Sequence, residues 1–408
     1  MSRQPGSSPR ATTRTVRAGI DRDAAFGAVT PPVVLSSNFS FEGFGKKRRY
    51  DYTRSGNPTR DALAEALAER EGGAGAVVTS TGLSAIALVL NALLCPGDKL
   101  VVPHDAYGGS WRLFDALAKK GHFELVTADL TSREGVVDAL RCRPKVALFE
   151  TPSNPLLRIT DLAHACAAAR SVGALSVVDN TFLSPALQNP LELGADVVVH
   201  STTKYINGHS DVVGGAVIAR DAGLSESFVW WANALGVTGS PFDAFLTLRG
   251  LRTLDARMRV HEENARALAT LLDAHSAVER VHYPGLASHP GHALAARQQA
   301  GFGGMLSVEL AGGQAAVRRF VGGLRHFTLA ESLGGVESLV AHPATMTHAS
   351  MSASARAAAG ISDGLVRLSV GIEALEDLAD DLERALASTV ARNATSLQQP
   401  TAPPVDAH

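Results

Sequence analysis

Lys204 sits in HSTTKYINGHSD, directly after the apolar run ADVVVH. A lone lysine there is ordinarily a solvated side chain. Lysine is also the residue whose amine captures carbonyls, and burial or a nearby cation turns it into a base. Hydroxyls at Ser201, Thr202 and Thr203 flank it and suit a phosphate. A second segment, TSTGLS at residues 79–84, joins a strand-like run to a helix-like one. Free N–H groups and the helix dipole bind anions at such a junction, and Gly82 permits close backbone approach. Read alone, the segment is also a plain tight turn with a serine cap. It is not a Walker A loop, because no Gly-Lys-Ser/Thr follows. Asp179 ends the apolar run ALSVVD, either as a helix cap or as the partner of a buried cation. Together, an amine nucleophile, a phosphate cradle in two pieces and an acid able to pair with a ring nitrogen describe a site for pyridoxal phosphate (PLP).

The elements that must position these residues can be read from periodicity. Seven short apolar runs are strand candidates: AVVTSTG, KLVVP, ELVTAD, KVALFE, ALSVVD, ADVVVH and GGAVIA. Helical patterns such as SAIALVLNALL and SWRLFDALAKKG lie between them, which predicts an α/β domain with a mostly parallel sheet covered on both faces. Ligands of such sheets bind outside the carboxyl ends of the strands, where Gly82, Asp179 and Lys204 all fall. After Arg252 the rhythm changes. MRVHEENARALATLLDAH reads as a bridging helix into a smaller α+β domain with strand candidates MLSVEL and LVRLSVG. The expected layout is an extended arm at 1–60, a large domain at 61–256, a small domain at 257–390 and a disordered tail at 391–408. The acid-free first 20 residues, with four arginines, suit a flexible cationic arm, or alternatively an organellar transit peptide.

Composition narrows the function classes. The chain has 408 residues, 45% of them hydrophobic and 19% charged, enough for two domains with real cores. Its 38 Lys+Arg face 40 Asp+Glu, so binding nucleic acid through general basicity is not expected. No apolar run approaches the ~20 residues of a membrane span. Three widely spaced cysteines, Cys95, Cys142 and Cys166, fit neither a disulfide framework nor a zinc site and suit a reducing cytoplasm. A Rossmann dehydrogenase is disfavoured, because no G-x-G-x-x-G follows a first strand.

At these residues the chain resembles a family, the Cys/Met-metabolism PLP enzymes of fold type I. The resemblance runs from about Thr15 to Ala387. It rests on DYTRSGNPTRD, EGGAGAVVTSTG, PHDAYGGSWRLFD, SVVDNTFLSPALQNPLELGAD, HSTTKYINGHSDVVGG, SLGGVESL and RLSVGIE. It implies a PLP-dependent transferase fold with Lys204 as the cofactor lysine and proton shuttle, Asp179 as partner of the ring nitrogen and Tyr107 stacked on the ring. Gly82, Leu83, Ser201 and Thr203 would hold the phosphate. Many relatives carry Met where Leu83 stands; only a backbone N–H is needed there, so little effect is expected. Tyr52 and Arg54 would reach the phosphate in a neighbouring subunit, which implies a homotetramer with shared sites. Arg367 would clamp the substrate α-carboxylate, helped by Ser332 and Asn154. Glu331 would meet the amino group of incoming cysteine, and Arg112 and Asp51 would face the distal end of the substrate. His200 and His209 read as structural neighbours of the lysine loop. Trp230 and Trp231 read as core aromatics near the cleft.

The reaction implied is γ-replacement: O-succinyl-L-homoserine and L-cysteine give L-cystathionine and succinate. The segment WWANALGVTGSPFDAF leans the resemblance toward bond-forming members. The alternatives are γ-cleavage of cystathionine, or capture of sulfide by an O-acetylhomoserine-using sulfhydrylase. A purely structural role is disfavoured, since Lys204, Asp179, Tyr107 and Arg367 are all present.

Overall fold

A computed structural model describes residues 9–349, 351 and 353–395. The seven apolar runs form strands β1 (Gly75–Thr79), β2 (Lys99–Pro103), β3 (Glu124–Ala128), β4 (Val146–Glu150), β5 (Leu175–Asp179), β6 (Val197–His200) and β7 (Gly215–Ala219). They make one sheet in the order β1-β7-β6-β5-β4-β2-β3. Only β7 runs against its neighbours; the other pairings are parallel. Alternation along each strand divides the apolar residues between two cores. Val178 and Val198 join the core under helix Pro58–Glu71, whereas Val177, Val197 and Val199 join the core under helix Gly82–Leu93. Burial on both faces explains why these strands read as continuous apolar runs.

A second sheet follows: β8 (Val278–His282), β9 (Met305–Leu310), β10 (Thr328–Leu329), β11 (Leu339–Ala341) and β12 (Leu365–Ser369), in the order β10-β11-β12-β9-β8. Helix Leu254–Asp273 links the two parts. Leu254 and Met258 at its start pack in the first core, and Ala265, Leu268 and Leu272 further on pack in the second. The last helix, Leu375–Thr395, runs past position 391, where the tail was expected to begin; residues 396–408 of that tail lie outside the described residues. The N-terminal segment is mostly irregular, but it holds a short helix, Ala11–Val16, that its sparse apolar residues do not announce.

One buried acid braces the second sheet against its last helix. The Asp381 carboxylate accepts hydrogen bonds from the N–H groups of Arg325, His326 and Phe327, at 2.8, 2.8 and 3.1 Å, and pairs with Arg384. These three residues lead into β10 and so into the loop carrying Glu331 and Ser332. Removing the acid leaves three backbone donors and a guanidinium without their acceptor. Asp381→Ala is expected to lower unfolding free energy by about 3 kcal/mol, read from the urea midpoint; a loss below about 0.5 kcal/mol would contradict this role.

Candidate active site

The carboxyl ends of β1, β4, β5 and β6 open into a cavity of about 550 Å³, closed on the far side by the loop at 331–333 and by β12. Each strand end delivers chemistry. After β1, Thr81 caps helix Gly82–Leu93 by accepting the Ser84 N–H at 2.8 Å. The first N–H groups of that helix, including those of Gly82 and Leu83, have no partner inside the helix and lie at the cavity wall. A Cβ on Gly82 would lie 2.7 Å from Ser201 Cβ, so only glycine lets this helix end meet the segment after β6. That junction brings together the two segments from which the sequence suggests a phosphate cradle. Thr203 contributes less freely than expected, because its hydroxyl exchanges hydrogen bonds with Gly214 O at 3.2 Å and Gly214 N at 3.0 Å.

Asp179 ends β5 at the cavity wall and accepts the Thr181 N–H at 3.0 Å. Burial raises its proton affinity, while the Thr181 hydrogen bonds and then the His200 ring oppose that effect. Glu150 stands in register with Asp179 on the neighbouring strand. Its carboxyl is pushed well above the ordinary range, first by burial and then by the Asp179 charge. Its oxygens accept the Tyr107 N–H at 2.9 Å and the Asn154 N–H at 3.2 Å, so one buried acid anchors two segments of the site. Sequence reading passes over Glu150, although KVALFE ends on an acid just as ALSVVD does.

Tyr107 precedes helix Gly108–Lys119, and its ring is 41% exposed toward the cavity. Gly109 makes room for that ring: a Cβ there would lie 2.5 Å from Tyr107 Cε1. Lys204 reaches across from the first sheet and donates to Ser332 Oγ at 2.7 Å. Its proton affinity falls to about 8, first through burial, then through Arg367, with Glu331 opposing. Arg367, on β12, donates to Asn154 Oδ1 at 2.9 Å and to Ser332 O at 2.8 Å. Burial is the main reason its pKa drops to about 10. Ser332 serves both cations from a backbone with φ of +86°, a conformation that non-glycine residues adopt only where the surroundings enforce it. Glu331 and Arg112 lie at the exposed rim of the same cavity.

The structure therefore gathers Gly82, Leu83, Tyr107, Arg112, Asn154, Asp179, Ser201, Thr203, Lys204, Glu331, Ser332 and Arg367 around one space. Asp51, Tyr52 and Arg54 are not among the residues lining it. Arg54 instead lies over the Tyr52 ring and donates to Asn233, while Asp51 accepts from Ser55 and the Tyr52 N–H. Trp230 differs from expectation: it is 63% exposed and packed edge-on against Trp231, which does pack against the core under helix Gly82–Leu93; neither lines the cavity.

These residues fit pyridoxal phosphate: a glycine-cleared anion cradle, an acid for the ring nitrogen, an amine of lowered proton affinity and an aromatic side wall. Below its pKa the Lys204 amine is protonated and cannot attack a carbonyl. Capture of PLP by the cofactor-free protein is therefore expected to speed up with pH and level off above about 8. A rate still climbing about tenfold per pH unit through pH 9 would contradict the lowered value.

Comparisons with known proteins agree with this geometry. The chain is 74% identical to a cystathionine gamma synthase from Xanthomonas oryzae pv. oryzae, solved in complex with aminoacrylate and cysteine; the match covers 94% of this chain and 100% of that one, with a TM-score of 0.93. It is 58% identical over 371 residues to the cystathionine gamma-synthase of Escherichia coli K12, covering 91% of this chain and 96% of that protein. It is also 46% identical over 374 residues to a cystathionine beta-lyase of Lactococcus lactis subsp. cremoris, covering 92% of this chain and 98% of that protein. The family model described as Cys/Met metabolism PLP-dependent enzyme matches residues 12–387. The cofactor is pyridoxal phosphate, the fold is that of the type I PLP enzymes, and the chain belongs to the Cys/Met-metabolism PLP-dependent enzyme family.

Proposed function

We propose that this enzyme joins an activated homoserine ester to L-cysteine, with O-succinyl-L-homoserine as the ester and L-cystathionine and succinate as the products. The observation that carries the reading is the shared cavity of Lys204 and Arg367, a near-neutral amine base beside a buried carboxylate clamp. When bound, PLP supplies a carbonyl for the substrate amine and a ring that accepts electron density from the adjacent carbon.

The chain's own residues do the rest. Arg367, oriented by Asn154 Oδ1 and Ser332 O, binds the α-carboxylate and fixes which Cα bond faces Lys204. The freed Lys204 amine, held by Ser332 Oγ, takes the Cα proton and later moves protons along the same face. Asp179 would pair with the ring nitrogen of bound cofactor and favour its protonated form. Tyr107 would stack on the ring. Ser201 and Thr203, with the N–H groups of Gly82 and Leu83, bind the phosphate. At the rim, Arg112 meets the succinyl carboxylate as it leaves Cγ, and Glu331 receives the ammonium of cysteine as its thiolate adds there.

Assembly completes the site. Asp51, Tyr52 and Arg54 lie on an arm whose Phe26, Leu35 and Phe44 are exposed in the single chain, at 92%, 67% and 106%. Such a display of apolar side chains supports burial against another copy. We propose a homotetramer in which Tyr52 and Arg54 reach a neighbour's phosphate and Asp51 its substrate. We place the enzyme in the cytoplasm, a reading supported by three unpaired cysteines. No helix among the described residues is long and apolar enough to cross a membrane.

Similarity to a beta-lyase keeps a cleavage reaction as the second reading. Mass spectrometry of products separates the two. The PLP-loaded protein is incubated with O-succinyl-L-homoserine with and without L-cysteine, with the O-acetyl ester and sulfide, and with L-cystathionine alone. Cystathionine from the succinyl ester and cysteine, with little cleavage of added cystathionine, is expected. Rapid cleavage with poor synthesis, or efficient turnover only with sulfide, would overturn the proposal. Sedimentation of the same preparation is expected to show four chains per particle; a monomer would overturn the shared-site reading.

A further inference from the structure

Behind Asp179 lies a buried acid–imidazole pair that the reaction does not use. Glu71 is the last residue of helix Pro58–Glu71, and its side chain has no exposed surface. Its Oε1 lies 2.6 Å from His200 Nε2 and also accepts from Asn180 Nδ2 at 3.0 Å. His200 ends β6, is equally enclosed, and borders the cavity. Its other nitrogen, Nδ1, is buried without a hydrogen-bond partner among the described residues. Burying an acid and an imidazole together is costly unless they serve each other, and a free ring nitrogen adds to that cost.

Asp179 has a reason to need such a neighbour. Glu150 stands in register with it on the neighbouring strand, and the Asp179 charge helps push the Glu150 carboxyl above its ordinary range. Two influences favour the ionised form of Asp179. One is local, the hydrogen bonds from Thr181; the other is the nearby His200 ring. Asn180, next in the chain to Asp179, donates to the same Glu71 oxygen, so Glu71 ties the ends of β5 and β6 together.

We propose that the Glu71–His200 pair is a positioning and counter-charge device for Asp179, and that it sets how firmly the site holds the ring nitrogen of PLP. Glu71 orients the imidazole through Nε2. The imidazole then favours the ionised form of Asp179, leaving it as the anion that meets the ring. The inference rests on the assignment of Asp179 to the ring nitrogen made above, and it holds whichever amino-acid substrate the enzyme takes. Neither Glu71 nor His200 touches the reacting atoms; both act through Asp179.

The test compares two ligands in the absence of substrate: PLP and its analogue with carbon in place of the ring nitrogen. Dissociation constants are read by absorbance on cofactor-free wild type, Glu71→Gln and His200→Gln, with far-UV circular dichroism to check folding. Wild type is expected to prefer PLP. In both variants that preference is expected to shrink by about tenfold or more, the equivalent of one pKa unit at Asp179. Glu71→Gln keeps the shape and an acceptor oxygen, so it tests the charge if His200→Gln does not fold. An equal loss of affinity for both ligands would assign the pair a purely structural role and overturn the proposal, as would unchanged affinities. A wild type that does not distinguish the ligands would overturn the Asp179 assignment and the proposal with it, whereas failure of the product assay would leave this comparison untouched.

Discussion

Two cations held side by side by one serine govern this site. Lys204 comes from the end of β6 and Arg367 from β12, and Ser332 takes a hydrogen bond from each. Neither cation has a carboxylate in ion-pair contact among the described residues. Burial and mutual repulsion therefore lower the proton affinity of the one that can lose a proton. The arrangement is costly and requires support: the +86° backbone of Ser332, the Asp381 brace beneath the preceding segment and the Asn154 carbonyl on the guanidinium. A pocket built this way is prepared for anions, and an amino-acid carboxylate and a phosphate are the anions its geometry suits.

Opposite charge collects at the other end. Parallel strands bring Asp179 and Glu150 into register, and the adjacent strand end adds His200 backed by Glu71. Asp179 and Glu150 thus reach the cavity from the strand ends, while Glu331 stands near Lys204 and Arg367, with Tyr107 as an aromatic side. Arg367 and Ser332 come from the second sheet and its loop, whereas Lys204, Asp179 and Glu150 come from the first, so the site lies between the two sheets, and helix Leu254–Asp273 buries one end in each core.

Much of this was legible in the residues. Strands buried on both faces announce themselves as short apolar runs, and ligand groups must follow their carboxyl ends, so Gly82, Asp179 and Lys204 stood out by position. Arg367 and Ser332 did not. They belong to the second sheet, and no local pattern tells that it folds back over the first; only the family resemblance reached them. Glu71 looks like one more acid in the charged run ALAERE, because what distinguishes it is burial against a residue 129 positions away. Glu150 is hidden by the opposite effect, a strand so apolar that its terminal acid reads as punctuation. Asp51, Tyr52 and Arg54 form no part of the cavity in this chain.

Lys204 is proposed as the point at which this cavity binds the carbonyl of its cofactor. Borohydride reduction of the PLP-loaded protein, followed by proteolysis and mass spectrometry, tests it directly. The added mass of one reduced cofactor is expected on the peptide containing Lys204, at that residue, and none on the corresponding peptide of Lys204→Ala. A label on another lysine, or the absence of any label on a protein that retains PLP, would contradict it.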